Sequence, residues 1–239
     1  MARPACSRPA AAGARLPQRN TPRSREDAIF SADVTPIGAD LAGEDEPLLA
    51  AREKAQRLGG AAPVAPVTGA ALRFLATAIG ARSVVEIGTG CGVSGIWLLR
   101  GMRPGSVLTS VDIEPQHHRM ARDAFAAAGF ASSRYRLITG RALEVLPRLA
   151  DGAYDLVFCD ADTREYPEYL VAATRLLRQG GIMAFDNVLW ADQRAPSPRG
   201  DLGAAAIGEV RDHIRSDDTL VPLLLPVGGG LLAAVNQAG

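Results

Sequence analysis

A regular alternation of short apolar runs and helical segments begins at Ser83 and continues almost to the C-terminus. Runs such as "SVVEIG", "SVLTSVDI" and "YDLVFCD" are continuously apolar, which is typical of strands that are buried on both faces. Helical segments separate these runs, such as "PQHHRMARDAFAAAG", with Pro115 near its start and Gly129 past its end. Helices are also predicted over "ALEVLPRLA" and over "EYPEYLVAATRLLRQGG", whose apolar stripe includes Leu177. Strands that alternate with helices in this way pair in parallel. The sequence therefore predicts an α/β fold with a doubly wound, mostly parallel sheet.

The last part of the chain departs from this alternation. After a helical stretch around "GAAAIGEVRDHIRS" come the apolar runs "LVPLLLPV" and "GLLAAV", which Gly228-Gly229-Gly230 separate. Two strands joined through glycines form a hairpin, so one of them must run antiparallel. Five parallel strands and this C-terminal hairpin give a seven-stranded sheet, which resembles the Rossmann-like sheet of class I methyltransferases.

The first 27 residues differ from the rest of the chain in composition. They contain six arginines and four prolines but almost no large apolar side chains, so they cannot bury enough surface to fold. We interpret residues 1–27 as a disordered tail, with a transit peptide or a misassigned start codon as alternatives. The folded domain is predicted over 28–239, with N-terminal helices between 44 and 80 and a sheet core over 83–239.

Charge and cysteine content narrow the class of partner and the compartment. The 26 basic and 26 acidic residues cancel, so neither nucleic acid nor an anionic membrane is an expected partner. The longest apolar stretch, "VPLLLPVGGGLLAAV", is short and is broken by proline and glycines, so we expect no membrane span. Three cysteines without a CxxC pair argue against a disulfide framework or a zinc knuckle and predict a cytoplasmic protein.

A glycine-rich loop, "VVEIGTGCGVSG", follows the first predicted strand and opens a helix. Gly88, Gly90 and Gly92 allow the backbone to turn tightly and to approach a ligand closely. The segment from Gly90 to Gly95 also fits G-x-G-x-x-G, so the loop by itself suits either a dinucleotide or S-adenosylmethionine. A glycine-rich turn without a ligand is the third interpretation.

The residues around the loop favour S-adenosylmethionine. Glu86 stands just before the glycines, where its carboxylate would repel a phosphate but can meet the amino-acid end of S-adenosylmethionine through water or backbone. Asp112 ends the second strand, where a carboxylate accepts hydrogen bonds from ribose hydroxyls in either class of cofactor. Gly140 and Ala142, after the third strand, leave backbone room at an adenine edge, although an ordinary helix-entry turn explains them too.

Polar side chains end the fourth and fifth predicted strands. Asp160 follows one strand, and Asp186 and Asn187 follow the next after one crossover, so these ends should be neighbours at one edge of the sheet. Two carboxylates and an amide without His or Cys suit a hard cation, with Mg²⁺ first and Mn²⁺ or Ca²⁺ as alternatives. Ordinary polar strand ends are the competing interpretation.

Taken together, "VVEIGTGCGVSG", "VDIEP", "FCDAD", "EYPEYL" and "DNVLW" resemble the metal-dependent O-methyltransferases of the caffeoyl-CoA and catechol type. The resemblance runs from about "EDEPLLAAREKA" to the C-terminus. It implies a homodimer that methylates a small phenolic or other hydroxylated acceptor with adjacent hydroxyls. It also implies a catalytic metal site at Asp160, Asp186 and Asn187, with Asp160 bordering cofactor and substrate. The residues implied to line the S-adenosylmethionine site are Val64, Glu86, Gly88, Thr89, Ser94, Asp112 and Ala142.

The chain departs from the family pattern at two places. The family usually reads D-A-D-K, whose lysine takes the proton of the substrate hydroxyl, but this chain has Thr163 there. We therefore expect the metal to carry more of the activation, with water or Asp162 as proton acceptor. The family often reads G-D-G in its last hairpin, where this chain has three glycines, and this change is expected to affect the acceptor pocket.

Two other functions remain open on the sequence alone. The literal G-x-G-x-x-G motif suits a nicotinamide-dependent oxidoreductase, although no second catalytic domain is present and Lys54 is the only lysine, which excludes a Tyr-x-x-x-Lys pair. Thr163 in place of the lysine suits a non-catalytic S-adenosylmethionine-binding protein.

The remaining polar and aromatic residues carry weaker predictions. His117 and His118 are predicted to face solvent, and His213 to lie on a surface helix. Cys91 and Cys159 are predicted to be small buried residues. Trp190 suits either a wall of an aromatic acceptor site or ordinary packing.

Overall fold

The computed structural model describes residues 43–58, 62–189 and 202–238. The predicted tail over 1–27 and Trp190 lie outside the described residues, so their roles stay predictions. No helix within the described ranges is long and apolar enough to cross a bilayer.

Helices and strands alternate through the described part as the sequence predicts. In chain order they are α1 (Glu46–Leu58), α2 (Pro66–Ala78), β1 (Ser83–Ile87), α3 (Val93–Gly101), β2 (Val107–Asp112), α4 (Pro115–Ala127), β3 (Tyr135–Thr139), α5 (Ala142–Val145), β4 (Tyr154–Cys159), α6 (Tyr166–Leu176), β5 (Leu177–Phe185), α7 (Leu202–Ser216), β6 (Leu220–Leu225) and β7 (Leu231–Asn236).

All seven strands form one sheet with the order β3-β2-β1-β4-β5-β7-β6. Strands β1 to β5 pair in parallel, whereas β7 pairs antiparallel with both β5 and β6. The prediction of a doubly wound, mostly parallel sheet that ends in an antiparallel hairpin is confirmed. The order reverses between β1 and β4, and this reversal is where open α/β sheets bind ligands.

Successive residues of the central strands enter opposite layers of the core. Val84 packs in the layer that contains Leu72 and Trp97, whereas Val85 packs in the layer that contains Tyr169 and Met183. Side chains of a strand alternate between faces, so a strand with both faces covered must be apolar at every position. This packing explains the continuous apolar runs.

Two helix predictions differ from the structure. The helix predicted over "ALEVLPRLA" is one α-helical turn, followed by a 3₁₀ turn over Leu146–Arg148, because Pro147 has no N–H to continue the helix. Helix α6 ends at Leu176, and the predicted helical residue Leu177 is the first residue of β5, where it pairs with Tyr154. Tertiary strand pairing overrides local helix propensity there.

Candidate active site

A cavity of about 450 Å³ lies at the carboxyl ends of the parallel strands. Its walls come from the segments that follow β1, β2, β3, β4 and β5, and its size is that of a small-molecule site. The predicted site residues that line it are Val64, Gly88, Thr89, Gly90, Ser94, Asp112, Gly140, Ala142, Asp160 and Asn187. Two predicted residues, Glu86 and Asp186, are not among the lining residues. The topology thus collects one site from distant parts of the sequence.

The glycine loop passes directly against the end of β4. Gly88 has φ of +97°, and a Cβ at this position would lie 2.0 Å from the backbone oxygen of Asp160. Only glycine fits both this conformation and this contact. The next glycine anchors the loop on the other side, because Gly90 N–H donates to Asp112 Oδ2 at 2.9 Å.

Asp112 is held at the mouth of β2 by three donors. Besides Gly90, the backbone N–H of Glu114 donates to Oδ1 at 2.9 Å, and His117 Nδ1 lies 3.0 Å from Oδ2. The prediction that His117 faces solvent is wrong, since the first turn of α4 brings this ring to the cavity wall. The sequence could have predicted this contact, because only five residues separate Asp112 from His117 across the strand-to-helix turn.

Glu86 is buried behind the loop and does not form the cavity wall. Its Oε1 accepts from Ser94 Oγ at 2.6 Å, and its Oε2 accepts from Ser110 Oγ at 2.5 Å. Burial raises the pKa of this carboxyl to about 7, although both hydroxyls oppose the rise. Glu86 therefore supports Ser94, which does line the cavity. That Glu86 meets the amino-acid end of S-adenosylmethionine through water or backbone stays a prediction.

His118 is also buried, so the prediction that it faces solvent is wrong. Helix α4 turns its side chain inward, where Nδ1 lies 2.9 Å from Thr139 Oγ1 and Nε2 lies 3.1 Å from Thr89 Oγ1. The ring joins the end of β3 to the glycine loop. The sequence signal that was missed is the helical spacing of His118, Ala121 and Phe125, all of which are buried on one face of α4.

The predicted metal ligands meet at the ends of β4 and β5. Asn187 Nδ2 donates to Asp160 Oδ1 at 3.0 Å. Asp186 is 3% exposed, and its Oδ1 has no hydrogen-bond partner. Burial raises the pKa of Asp186 to about 6, while burial and then the charge of Asp186 raise that of Asp160. An unpartnered carboxylate oxygen beside a second carboxylate fits a hard cation.

The donor set is small. Among the residues that the structure describes, no group of three or more His, Cys, Asp and Glu side chains is arranged to hold a metal. The metal prediction therefore depends on two carboxylates and one amide. Asn187 points its amide nitrogen at Asp160 in this structure and would supply its oxygen by turning the carboxamide over.

The glycine turn between β6 and β7 packs directly on Asn187. A Cβ at Gly229 would lie 2.4 Å from Asn187 Oδ1 and 3.1 Å from its Cα. Within the described ranges Asn187 is the one non-glycine residue with positive φ, at 62°, and Asn tolerates that region better than most residues. Leu189 N–H also donates to the Gly229 oxygen at 2.9 Å. Three glycines in place of the family's G-D-G therefore leave room for the carboxamide of Asn187.

Adding a methyl group at Gly229 should displace that carboxamide. We expect Gly229→Ala to lower kcat/KM for the methyl transfer that the resemblance implies by about tenfold to a hundredfold, because a predicted catalytic group moves by roughly 1 Å. The matched control is Gly208→Ala on α7, where an added Cβ meets nothing within 4 Å. Equal kcat/KM for wild type and Gly229→Ala would contradict this account of the turn.

The predicted proton acceptor Asp162 is a poor base in this structure. It caps the 3₁₀ turn Thr163–Glu165, and its carboxylate accepts from the backbone N–H of Arg164 at 3.0 Å and from the Nε at 2.9 Å. The hydrogen bond from the Arg164 side chain lowers the pKa of Asp162. Of the two acceptors expected from the sequence, this arrangement favours water.

Charged and aromatic side chains that sequence reasoning missed form the rim of the cavity. Arg141 Nη2 lies 2.8 Å from Glu165 Oε1, and Tyr169 O–H donates to Glu165 Oε2 at 2.6 Å. All three line the cavity. Arg141 could have been predicted at the cavity, because it stands between two predicted lining residues, Gly140 and Ala142.

Comparisons with known proteins agree with this geometry. A family model described as O-methyltransferase matches residues 42–236. A relative from Mycolicibacterium smegmatis, provisionally described as an O-methyltransferase, is 48% identical over 194 residues, which cover 81% of this chain and 92% of the relative. The solved O-methyltransferase of Bacillus cereus, in complex with S-adenosylhomocysteine, is 27% identical with a TM-score of 0.75 and covers 85% of this chain and 96% of its own. TomG of Streptomyces achromogenes, an O-methyltransferase of tomaymycin synthesis in complex with S-adenosylmethionine, is 26% identical with a TM-score of 0.76 and covers 89% of this chain and 99% of its own.

Proposed function

This chain belongs to the O-methyltransferase family. We therefore propose that it transfers a methyl group from S-adenosylmethionine to a hydroxyl of a small aromatic acceptor with adjacent hydroxyls. A divalent cation, Mg²⁺ by default, assists the transfer. One observation carries the proposal: a single cavity is lined by the glycine loop, by Asp112 and by the pair Asp160 and Asn187. A methyl donor and a hydroxyl acceptor can therefore lie side by side.

The cofactor would lie along the carboxyl ends of β1, β2 and β3. Asp112 would accept hydrogen bonds from the ribose hydroxyls. Gly140 and Ala142 would leave room for the adenine, and the loop around Thr89 would hold the amino-acid end; all of these residues line the cavity. Val64 covers the cavity from the segment before α2. Solved relatives with S-adenosylmethionine or S-adenosylhomocysteine bound support this assignment.

The cation would be held by Asp160, Asp186 and the turned-over carboxamide of Asn187. When bound, it would lower the pKa of the acceptor hydroxyls. The protein's own contribution is position, since Asp160 lines the cofactor cavity and is hydrogen-bonded to Asn187. Proximity of the two reactants then supplies much of the rate enhancement.

Calorimetry separates this proposal from its alternatives. We expect S-adenosylmethionine to bind with micromolar affinity and NAD not to bind at matched concentrations. NAD binding without S-adenosylmethionine binding would favour the oxidoreductase suggested by the literal G-x-G-x-x-G motif. S-adenosylmethionine binding without turnover on catechols, flavonoids and acyl-CoA phenols would favour a non-catalytic binding protein.

Thr163 provides a gain-of-function test of proton transfer. Thr163 is the first residue of the 3₁₀ turn that follows Asp162, and Thr163→Lys restores the amine of the family pattern there. We therefore expect kcat near pH 7 to rise about tenfold or more. Without a free base, the wild-type rate should climb with pH into the alkaline range, and the lysine variant should reach its plateau earlier. Thr163→Met is the control, with similar length and no amine. Identical pH–rate profiles of the Lys and Met variants would contradict the assignment.

The proposal includes a homodimer in the cytoplasm with small molecules as its ligands. Strand β6 forms one edge of the sheet and exposes Val221, Leu223 and Leu224, which supports a self-association surface. Cys91 and Cys159 are free and buried, which agrees with a reducing compartment. Light scattering that gives twice the mass of one chain would support the dimer, and the mass of one chain would refute it.

A further inference from the structure

A continuous row of hydrogen bonds runs beneath the glycine loop and is buried from His118 to Glu86, while its other end, Thr139, is exposed. It begins at Thr139, passes through His118 and Thr89 to Ser110, and ends on Glu86. The distances between successive polar atoms are 2.9, 3.1, 2.6 and 2.5 Å in that order. The row connects β3, α4, the glycine loop, β2 and β1, and the proposed reaction assigns no role to His118 or Ser110.

Donor accounting gives the row one direction. Ser110 has a single hydroxyl proton, and it donates this proton to Glu86 Oε2. Ser110 Oγ must therefore accept from the Thr89 hydroxyl, 2.6 Å away. The proton of Thr89 is then used, so Thr89 Oγ1 accepts from Nε2–H of His118. The bare Nδ1 of a neutral ring then accepts from the Thr139 hydroxyl.

Charge and burial agree with a neutral ring. Burial lowers the pKa of His118, with Arg122 and His117 adding to the effect and Asp112 opposing it. At pH 8, above the pKa of about 7 that burial gives Glu86, the carboxylate at the other end is ionised. An anion at one end and a neutral imidazole at the other fix every hydroxyl between them.

We propose that His118 is a positioning residue, which donates from Nε2 to Thr89 and so holds the row directed toward the Glu86 carboxylate beneath the cofactor's amino-acid end. This inference rests on the proposed function for the identity of the ligand. Thr89 lines the cavity, and its hydroxyl is engaged beneath the loop by Ser110 and His118, so the row holds the glycine loop against the cofactor's amino-acid end. This end is common to S-adenosylmethionine and S-adenosylhomocysteine, so the row should support the binding of both.

The direction of the row is measurable in the ligand-free protein. The chain has three histidines, so ¹⁵N-histidine labelling resolves His118 once His117→Gln and His213→Gln have assigned the other rings. At pH 8 we expect a neutral ring protonated at Nε2. Ser110→Ala interrupts the row and should give a mixture of both tautomers. A ring protonated at Nδ1, or a tautomer unchanged in Ser110→Ala, overturns the inference whether or not S-adenosylmethionine binds.

Ligand affinity tests the consequence. His118→Phe fills the site without a donor and should weaken the binding of both S-adenosylmethionine and S-adenosylhomocysteine about tenfold, as expected for one lost buried hydrogen bond. His118→Gln keeps a donor near the Nε2 position and should stay within about threefold of wild type. Unchanged affinity in His118→Phe, or no rescue by glutamine, overturns the positioning role. Failure of the wild type to bind S-adenosylmethionine would instead refute the proposed function and leave the tautomer result standing.

Discussion

Asp160→Ala is expected to lower kcat/KM for methyl transfer by about a thousandfold, because this carboxylate borders the proposed cofactor and cation sites at once. The matched control is Asp123→Ala, an exposed carboxylate on α4. The control should keep wild-type kcat/KM. Activity of Asp160→Ala within about threefold of wild type would contradict its role in the site.

Removing the charge of Asp160 should raise the melting temperature of the metal-free protein while abolishing its activity. Asp160 lies in a buried site near Asp186, and the charge of Asp186 adds to the cost of ionising Asp160. Asp160→Asn keeps the shape and removes one charge, so the metal-free variant should be inactive yet melt about 2–4 °C higher for each roughly 1 kcal/mol of repulsion removed. A variant that loses both activity and stability would show that Asp160 is chiefly structural.

Removal of divalent cations is the second large effect. Treatment with EDTA should lower the rate by about a hundredfold or more, and excess Mg²⁺ should restore it. Magnesium affinity should fall as the pH drops below about 6, because the pKa of Asp186 is raised to about 6 and protons then compete for its carboxylate. Above that pH the Asp186 carboxylate is ionised, and any further rise in affinity comes from Asp160, whose pKa is also raised.

Calorimetric titration of Mg²⁺ between pH 5 and 8 measures this dependence apart from turnover. Asp186→Asn supplies the comparison, since an amide does not take up a proton in this range. We expect its affinity to be weaker than that of wild type at every pH, and any pH dependence that remains comes from Asp160, whose pKa burial also raises. An affinity for Mg²⁺ that is the same at pH 5 and pH 8 in the wild type would argue against Asp186 as a ligand.

Much of the fold follows from local sequence. The continuous apolar runs require strands with both faces covered, and the glycines at 228–230 require a hairpin, so the sheet and its antiparallel end could be predicted. The spacing of Asp160 and Asp186 placed both at one edge, because one crossover separates their strands. Boundaries were less predictable at Leu177, where strand pairing decides against helix propensity.

The site could be predicted where chain geometry alone determines it. Gly88 must be glycine because it touches the backbone of Asp160, and the motif carried that information. The prediction for His118 was wrong because its burial depends on how helix α4 packs over the glycine loop, which no single segment encodes. The contact between Gly229 and Asn187 joins two loops more than 40 residues apart and emerges only from the folded sheet.

Transfer of a labelled methyl group would show directly whether this protein is a metal-dependent O-methyltransferase of vicinal diols. The purified protein is incubated with S-adenosylmethionine carrying a trideuterated methyl group, with Mg²⁺ and a catechol, and the products are analysed by mass spectrometry. We expect the catechol to gain a single trideuteromethyl ether on one of its two adjacent hydroxyls, and we expect no methylated product when EDTA is present. Full turnover in EDTA, or no methylated product from any vicinal diol while S-adenosylmethionine is bound, would contradict it.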